Sequence, residues 1–165
     1  MAEDSDDEMQ RWTRERGDLE PDLEVLRAYA EEHPDIWGGL EIDTYRRPVG
    51  LLAFVTGDVD EHAARLRSRV RYPSRLDVRL AVMSERDLHA LARRLFDRLR
   101  ASLPHDTSLG VAPTLGGRLL VMLPDGCDPV AEELEREHGD LLIVQRGVIL
   151  RNIASGEREA ELRDA

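Results

Sequence analysis

The sequence predicts an α+β fold: two tandem αββαβ units, each a small mixed sheet covered by helices. Three observations carry that expectation. Apolar spacing switches between helical and strand periods in the same order twice along the chain. Helix-start signals recur in one style at Asp58, Ser84 and Asp128. A shift of 68 residues also lays Asp60 on Asp128, Ala63 on Ala131 and Leu66 on Leu134, while Phe54 and Val55 fall on Met122 and Leu123. A fixed-spacing match at caps and apolar positions indicates an internal repeat.

Residues 1–8 include Glu3, Asp4, Asp6, Asp7 and Glu8. Such a stretch buries too little apolar surface to offset its ordering entropy, so residues 1–17 are expected as a disordered acidic tail. The first unit spans 18–83. A helix from Asp18 to Glu32 has Pro21 in its first turn. Its inner face carries Leu19, Leu23, Leu26 and Ala30, and His33-Pro34 ends it. Gly38-Gly39 opens a strand from Leu40 to Tyr45. A turn at Arg46-Arg47-Pro48 leads to the apolar strand Val49 to Thr56. Asp58 caps the next helix, with Glu61 completing a capping-box pattern. Val59, Ala63, Leu66 and Val70 form its buried stripe, and Tyr72-Pro73 stops it. Leu76 to Met83 alternates as a third strand.

The second unit spans 84–150. Ser84 and Asp87 open a long helix with a wide apolar face of Leu88, Leu91, Ala92, Leu95, Phe96 and Leu99, closed by Pro104. Strands follow at Thr107 to Pro113 and at Leu119 to Leu123, joined by a turn at Gly116-Gly117. Asp128 reads as an N-cap with Pro129 at the first helical position, and Gly139 as the C-terminal cap. The last strand runs from Leu141 to Val144, with a continuation through Val148, Ile149 and Leu150. Residues 151–165 read as a flexible tail. In each unit a helix joins the second and third strands, which places it on one sheet face. The strand Val49 to Val55 is apolar on both faces, so its second face is expected to pack on the other unit.

The chain has 165 residues, enough for one ordinary domain or two small ones. Aromatics are only 4%, so the core must be Leu, Val, Ile and Ala. A formal net charge of −11 opposes non-specific binding to nucleic acid. All 23 basic side chains are Arg, which reads as codon bias of a GC-rich, bacterial genome and makes every cation a planar fork. Cys127 is the lone cysteine, so no internal disulfide is expected. No apolar run approaches the ~20 residues of a membrane span. The start of the chain is acidic where a secretory signal is basic, so a cytoplasmic location is expected.

Chemistry-bearing patterns are sparse. His33, His62, His89, His105 and His138 are scattered without metal-ligand spacing. His33 and His105 sit beside prolines at helix ends, where a cation complements the helix dipole. Cys127 stands near a helix start, where a thiol can be activated, but Asp125 and Asp128 oppose a thiolate. Asp58, Asp60 and Glu61 fit a helix start better than a general acid–base pair. Gly57 lacks the further glycines of a dinucleotide loop. The sequence therefore predicts no catalytic residue, no cofactor and no metal site. A small enzyme using Cys127 or a histidine is the alternative.

Charge is more informative. Residues 65–100 hold eleven Arg against Asp77, Glu85, Asp87 and Asp97, a net of +7 that leaves −18 for the rest. Arg65, Arg69, Arg71, Arg75, Arg79, Arg93, Arg94 and Arg98 form a candidate anion- or partner-facing patch. The competing reading is a solvated helix face whose ion pairs are worth at most about 1 kcal/mol each. The expected function is a non-enzymatic protein–protein interaction or regulatory module. The sequence does not identify its partner: an acidic protein, an anionic membrane surface and the protein's own acidic tails are all compatible with the patch, and a homodimer is a compatible assembly.

Two family resemblances point to similar folds. GGLEID (38–43), LLAFVTGDVDEHAARL (51–66) and LHALARRL (88–95) resemble pro-region-like α+β modules of α-lytic-type bacterial serine proteases. That resemblance implies folding assistance to, or inhibition of, an attached protease, and no protease domain is expected within these residues. GLLAFVTGDVDEHAARLRSRV (50–70) and LDVRLAV (76–82) resemble the BON domain, also αββαβ. That resemblance implies a tandem binding module at envelopes or anionic membrane surfaces, using the Arg-rich segment. Neither motif names a catalytic residue, and fold analogy alone does not carry function.

Overall fold

Local caps set the helix starts. The Asp58 carboxylate accepts the N–H of Glu61 at 3.0 Å, and Ser84 Oγ accepts that of Asp87 at 3.2 Å. A computed structural model describes residues 2–114 and 116–147. Its first unit runs α2 (Glu20–Glu32), β1 (Trp37–Asp43), β2 (Gly50–Val55), α3 (Val59–Arg67) and β3 (Leu76–Leu80), preceded by α1 (Ala2–Gly17). Its second runs α4 (Glu85–Ser102), β4 (Gly110–Thr114), β5 (Arg118–Met122), α5 (Asp128–His138) and β6 (Leu142–Gln145). The fold is α+β with two small mixed sheets, ordered β1-β2-β3 and β4-β5-β6.

Both sheets pair in the same sense. The central strand meets the first antiparallel and the third parallel. Registers also repeat: Leu51 lies opposite Leu76 and Ala53 opposite Val78, as Leu119 lies opposite Leu142 and Val121 opposite Val144. The 68-residue shift carries the first residue of β2, Gly50, onto that of β5, Arg118. It also pairs Ala63 with Ala131 and Leu66 with Leu134, all buried.

Two cores follow. Leu19, Leu23, Leu26 and Tyr29 from α2 meet Leu51, Ala53 and Val55 of β2 and Ala63 and Leu66 of α3. Leu88, Leu95 and Leu99 of α4 meet Leu119 and Val121 of β5 and Ala131 and Leu134 of α5. The opposite face of β2 buries Leu52 and Phe54 with Ala81. The turn between β4 and β5 reaches this face: a Cβ added to Gly116 would lie 3.7 Å from the Phe54 ring. Unit thus meets unit on the second face of β2.

Several expectations are corrected. Residues 1–17, expected as a disordered tail, form α1 almost throughout. Arg14 and Arg16 in its last turn complement the negative end of the helix dipole. Tertiary contacts hold its last turns. Trp12 packs on the first core, the Glu15 carboxylate accepts the N–H of Val49 at 3.1 Å, and Arg75 donates to the Glu15 carbonyl at 2.8 Å. Asp128 is the first helical residue of α5, and the cap position falls to Cys127, whose side chain makes no capping bond. β1 begins at Trp37, ahead of Gly38-Gly39, and Gly38 lies inside the strand against Ala81 and Phe54. β4 begins only at Gly110. The continuation expected through Val148 to Leu150 and the tail at 151–165 lie outside the described residues. No helix among the described residues is long and apolar enough to cross a membrane.

Candidate functional site

α4 buries Leu88, Ala92, Leu95 and Leu99 at helical spacing. Phe96, one position beyond that stripe, cannot turn fully inward and stays 37% exposed. β4 is the edge strand beside it, and all of its residues are half-buried. Between the two runs an open groove of about 640 Å³, lined by Ala92, Phe96, Val111 and Pro113, with His89, Arg93 and Asp97 at its rim. Residues four apart on the helix and two apart on the strand face one direction, so both periodicities fill one floor. The floor is apolar because Val111 and Pro113 sit on the core side of β4, opposite Val121 and Leu119.

Arg100 fixes the far end of this groove. Its guanidinium stands 5.7 Å from the Phe96 ring centre and donates to the carbonyls of His105 and Thr107 at 3.1 and 3.0 Å. At the near end His89 also borders a second hollow of about 360 Å³, lined by Ala30, Glu31, Pro34, Trp37, Glu85 and Arg86. Arg86 pairs with Asp35, tying the start of α4 to the loop before β1. His89 thus borders both hollows.

The structure spreads the eight candidate arginines over α3, the segment after it, β3 and α4. Arg65 pairs with Glu61, Arg69 with Glu32 at 2.8 Å, Arg79 with Asp77 at 3.0 Å and Arg98 with Glu137 at 2.7 Å. Arg69 and Arg98 hold Glu32 and Glu137 below the usual carboxylate range through those hydrogen bonds. Arg71 stacks over Tyr72, 5.2 Å from the ring centre. Arg75 is a structural residue: it is 9% exposed, and its Nε donates to the Val49 carbonyl at 2.7 Å. Arg93 and Arg94 are exposed and make no hydrogen bond or ion pair among the described residues. Of the eight, only Arg93 borders the groove.

The other groove residues, His89, Ala92, Phe96, Asp97, Val111 and Pro113, were not brought together as a site by the sequence reading. Their only signal was an apolar face on α4 wider than one sheet needs.

His33 and His62 are held structurally, whereas the buried Nε2 of His138 has no hydrogen-bond partner among the described residues. His33 closes α2 through its N–H to the Tyr29 carbonyl, and its ring lies 4.5 Å from that of Tyr29. His62 is buried, its Nδ1 2.6 Å from the Tyr29 hydroxyl. Burial pushes the Tyr29 phenol up, against the pull of Arg65 and Arg69. Cys127 is half-buried against the second core. Among the described residues no group of His, Cys, Asp or Glu is arranged to hold a metal ion. No protein-family model, curated protein or solved structure matches the chain. The pro-region and BON resemblances thus rest on the quoted segments alone.

Proposed function

We propose that this protein is a non-enzymatic interaction module that holds an acidic segment of another protein in the groove along α4. One observation carries the reading: the groove between α4 and β4 has an apolar floor and carries on its rim Arg93, which has no partner among the described residues. Apolar floors with charged rims suit protein segments, whose anchors enter the floor while the rim sets specificity. Phe96 supplies the aromatic contact that such interfaces favour. The composition supports placing the module in a bacterial cytoplasm.

A titration tests this with the full chain and a short synthetic peptide of Asp and Glu interrupted by Leu and Trp. The peptide should bind, and more weakly as salt screens the rim. Phe96→Glu should weaken it about tenfold or more, whereas Arg67→Glu, on α3 and outside the groove, should weaken it much less. Equal loss in both variants, or none in either, would contradict the reading.

A further inference from the structure

We infer that this protein associates with a second copy of itself head to tail: Tyr45, on the β1–β2 turn of one molecule, packs on the outer face of the second sheet of another. The inference is independent of the groove, which lies on the opposite face of that sheet.

The repeat supplies the argument. In the first unit the outer face of β2 carries Leu52 and Phe54, and the β4–β5 turn of the second unit reaches it. The 68-residue shift lays these two residues on Leu120 and Met122 of β5. Leu119 and Val121, their neighbours along the strand, belong to the second core, so Leu120 and Met122 stand on the other face of the sheet. Ala112 and Ile143 flank Leu120 on that face. Asp77 is the residue opposite Leu52, so the second unit has an isoleucine where the first has an acid.

This face has no cover of the kind its counterpart has. None of Ala112, Leu120, Met122 and Ile143 joins an apolar cluster among the described residues, and Ile143 is 44% exposed. Units stacked in tandem bury one another's faces, and such an array ends on a polar face. Here the second unit ends on an apolar one. The unit that continues the stack is the first unit of another copy, and its β1–β2 turn is the counterpart of the β4–β5 turn.

That turn carries an anchor. The Asp43 carboxylate accepts the N–H groups of Tyr45 and Arg46 at 3.1 and 3.2 Å, which orders the turn. Tyr45 is nevertheless 96% exposed, and its side chain makes no hydrogen bond or ring contact among the described residues. An aromatic side chain held out on an ordered turn loses little entropy on docking. Residues 44–49 include no glycine, so this turn cannot lie against backbone as Gly117 does. The Tyr45 ring makes the approach instead, and the flexible Met122 side chain adapts to it. The three strands of the face have only four or five residues each, so the association is weak.

Sedimentation velocity of the full chain from about 10 μM to about 1 mM tests the inference. The weight-average sedimentation coefficient should rise with concentration. Tyr45→Arg and Ile143→Glu should each weaken association about tenfold or more, with unchanged circular dichroism spectra. A head-to-tail contact uses different surfaces on its two sides. The two variants mixed in equal amounts should therefore recover association, through the turn of the Ile143→Glu chain and the face of the Tyr45→Arg chain. Failure of the mixture to recover would overturn the inference. Loss of association in Ile143→Glu with none in Tyr45→Arg would also overturn it, since the sheets would then pair face to face. A chain that stays monomeric over the whole range overturns it as well, and leaves the face to residues 148–165 or to another protein.

Discussion

The N–H of Val82, just after β3, donates to the carbonyl of Gly116 in the turn between β4 and β5, at 2.9 Å. This bond joins the last residues of the first unit to the hairpin of the second. Gly117 beside it adopts φ +81°, and a Cβ there would lie 2.5 Å from the Met83 nitrogen. Gly117 can lie this close to the Met83 backbone because it has no side chain.

Gly117→Ala should therefore cost about 2–4 kcal/mol, combining a positive-φ penalty with overpacking against backbone. Urea unfolding checks this. A loss below about 0.5 kcal/mol would mean that the turn does not press on the Met83 backbone.

Asp22 is buried at the start of α2, and its carboxylate accepts the N–H groups of Arg71 and Tyr72 at 2.6 and 3.1 Å. It holds the segment that returns from α3 to β3. Asp22→Ala leaves two donors without their acceptor and should cost about 2–4 kcal/mol. The urea midpoint should fall with an unchanged slope.

Tyr29→Phe should destabilise by about 1–3 kcal/mol, because it strips the buried His62 Nδ1 of its partner. Tyr72→Phe serves as the control. Equal effects of the two would show that the Tyr29–His62 bond contributes nothing.

Glu15 gives α1 a pH dependence. The Val49 N–H first, and then Arg11, hold its carboxylate below the ordinary 4.5. A depressed folded value means that the contact stabilises docking above the ordinary value and is lost as pH falls through the depressed one. Hydrogen exchange at the Val49 amide, corrected for the intrinsic pH dependence of exchange, should lose protection as pH falls through the depressed Glu15 value. Glu15→Gln should lose part of it already at neutral pH. Protection that stays constant to acid in the wild type would contradict the account.

Cys127→Ser should change stability by less than about 0.5 kcal/mol and leave peptide binding intact, because the thiol makes no capping bond and lies outside the groove. A loss of peptide affinity in this variant would draw the second core into binding.

The repeat was legible because caps and buried apolar residues obey local rules. Ala63 and Ala131 can be matched by spacing alone, as can the Asp58 and Ser84 caps. α1 was not legible, since its order depends on Val49 and Arg75, both far along the chain. Composition carries no trace of such contacts. The arginine segment misled for a related reason. Counting charge along the chain cannot show that Arg69 and Arg98 meet Glu32 and Glu137 on other helices, or that Arg75 turns inward. The groove was half legible: Phe96 was visible as an apolar residue, but its exposure is set by where β4 falls beside α4.

The central claim is that partners bind between α4 and β4. Amide chemical shifts of the isotope-labelled full chain, followed during titration with the peptide of Asp and Glu interrupted by Leu and Trp, test it most directly. The account predicts saturable shifts concentrated at residues 89–97 and 110–114, absent in Phe96→Glu. Saturable shifts centred instead on Arg65, Arg69 and Arg79, with α4 and β4 unmoved, would contradict it.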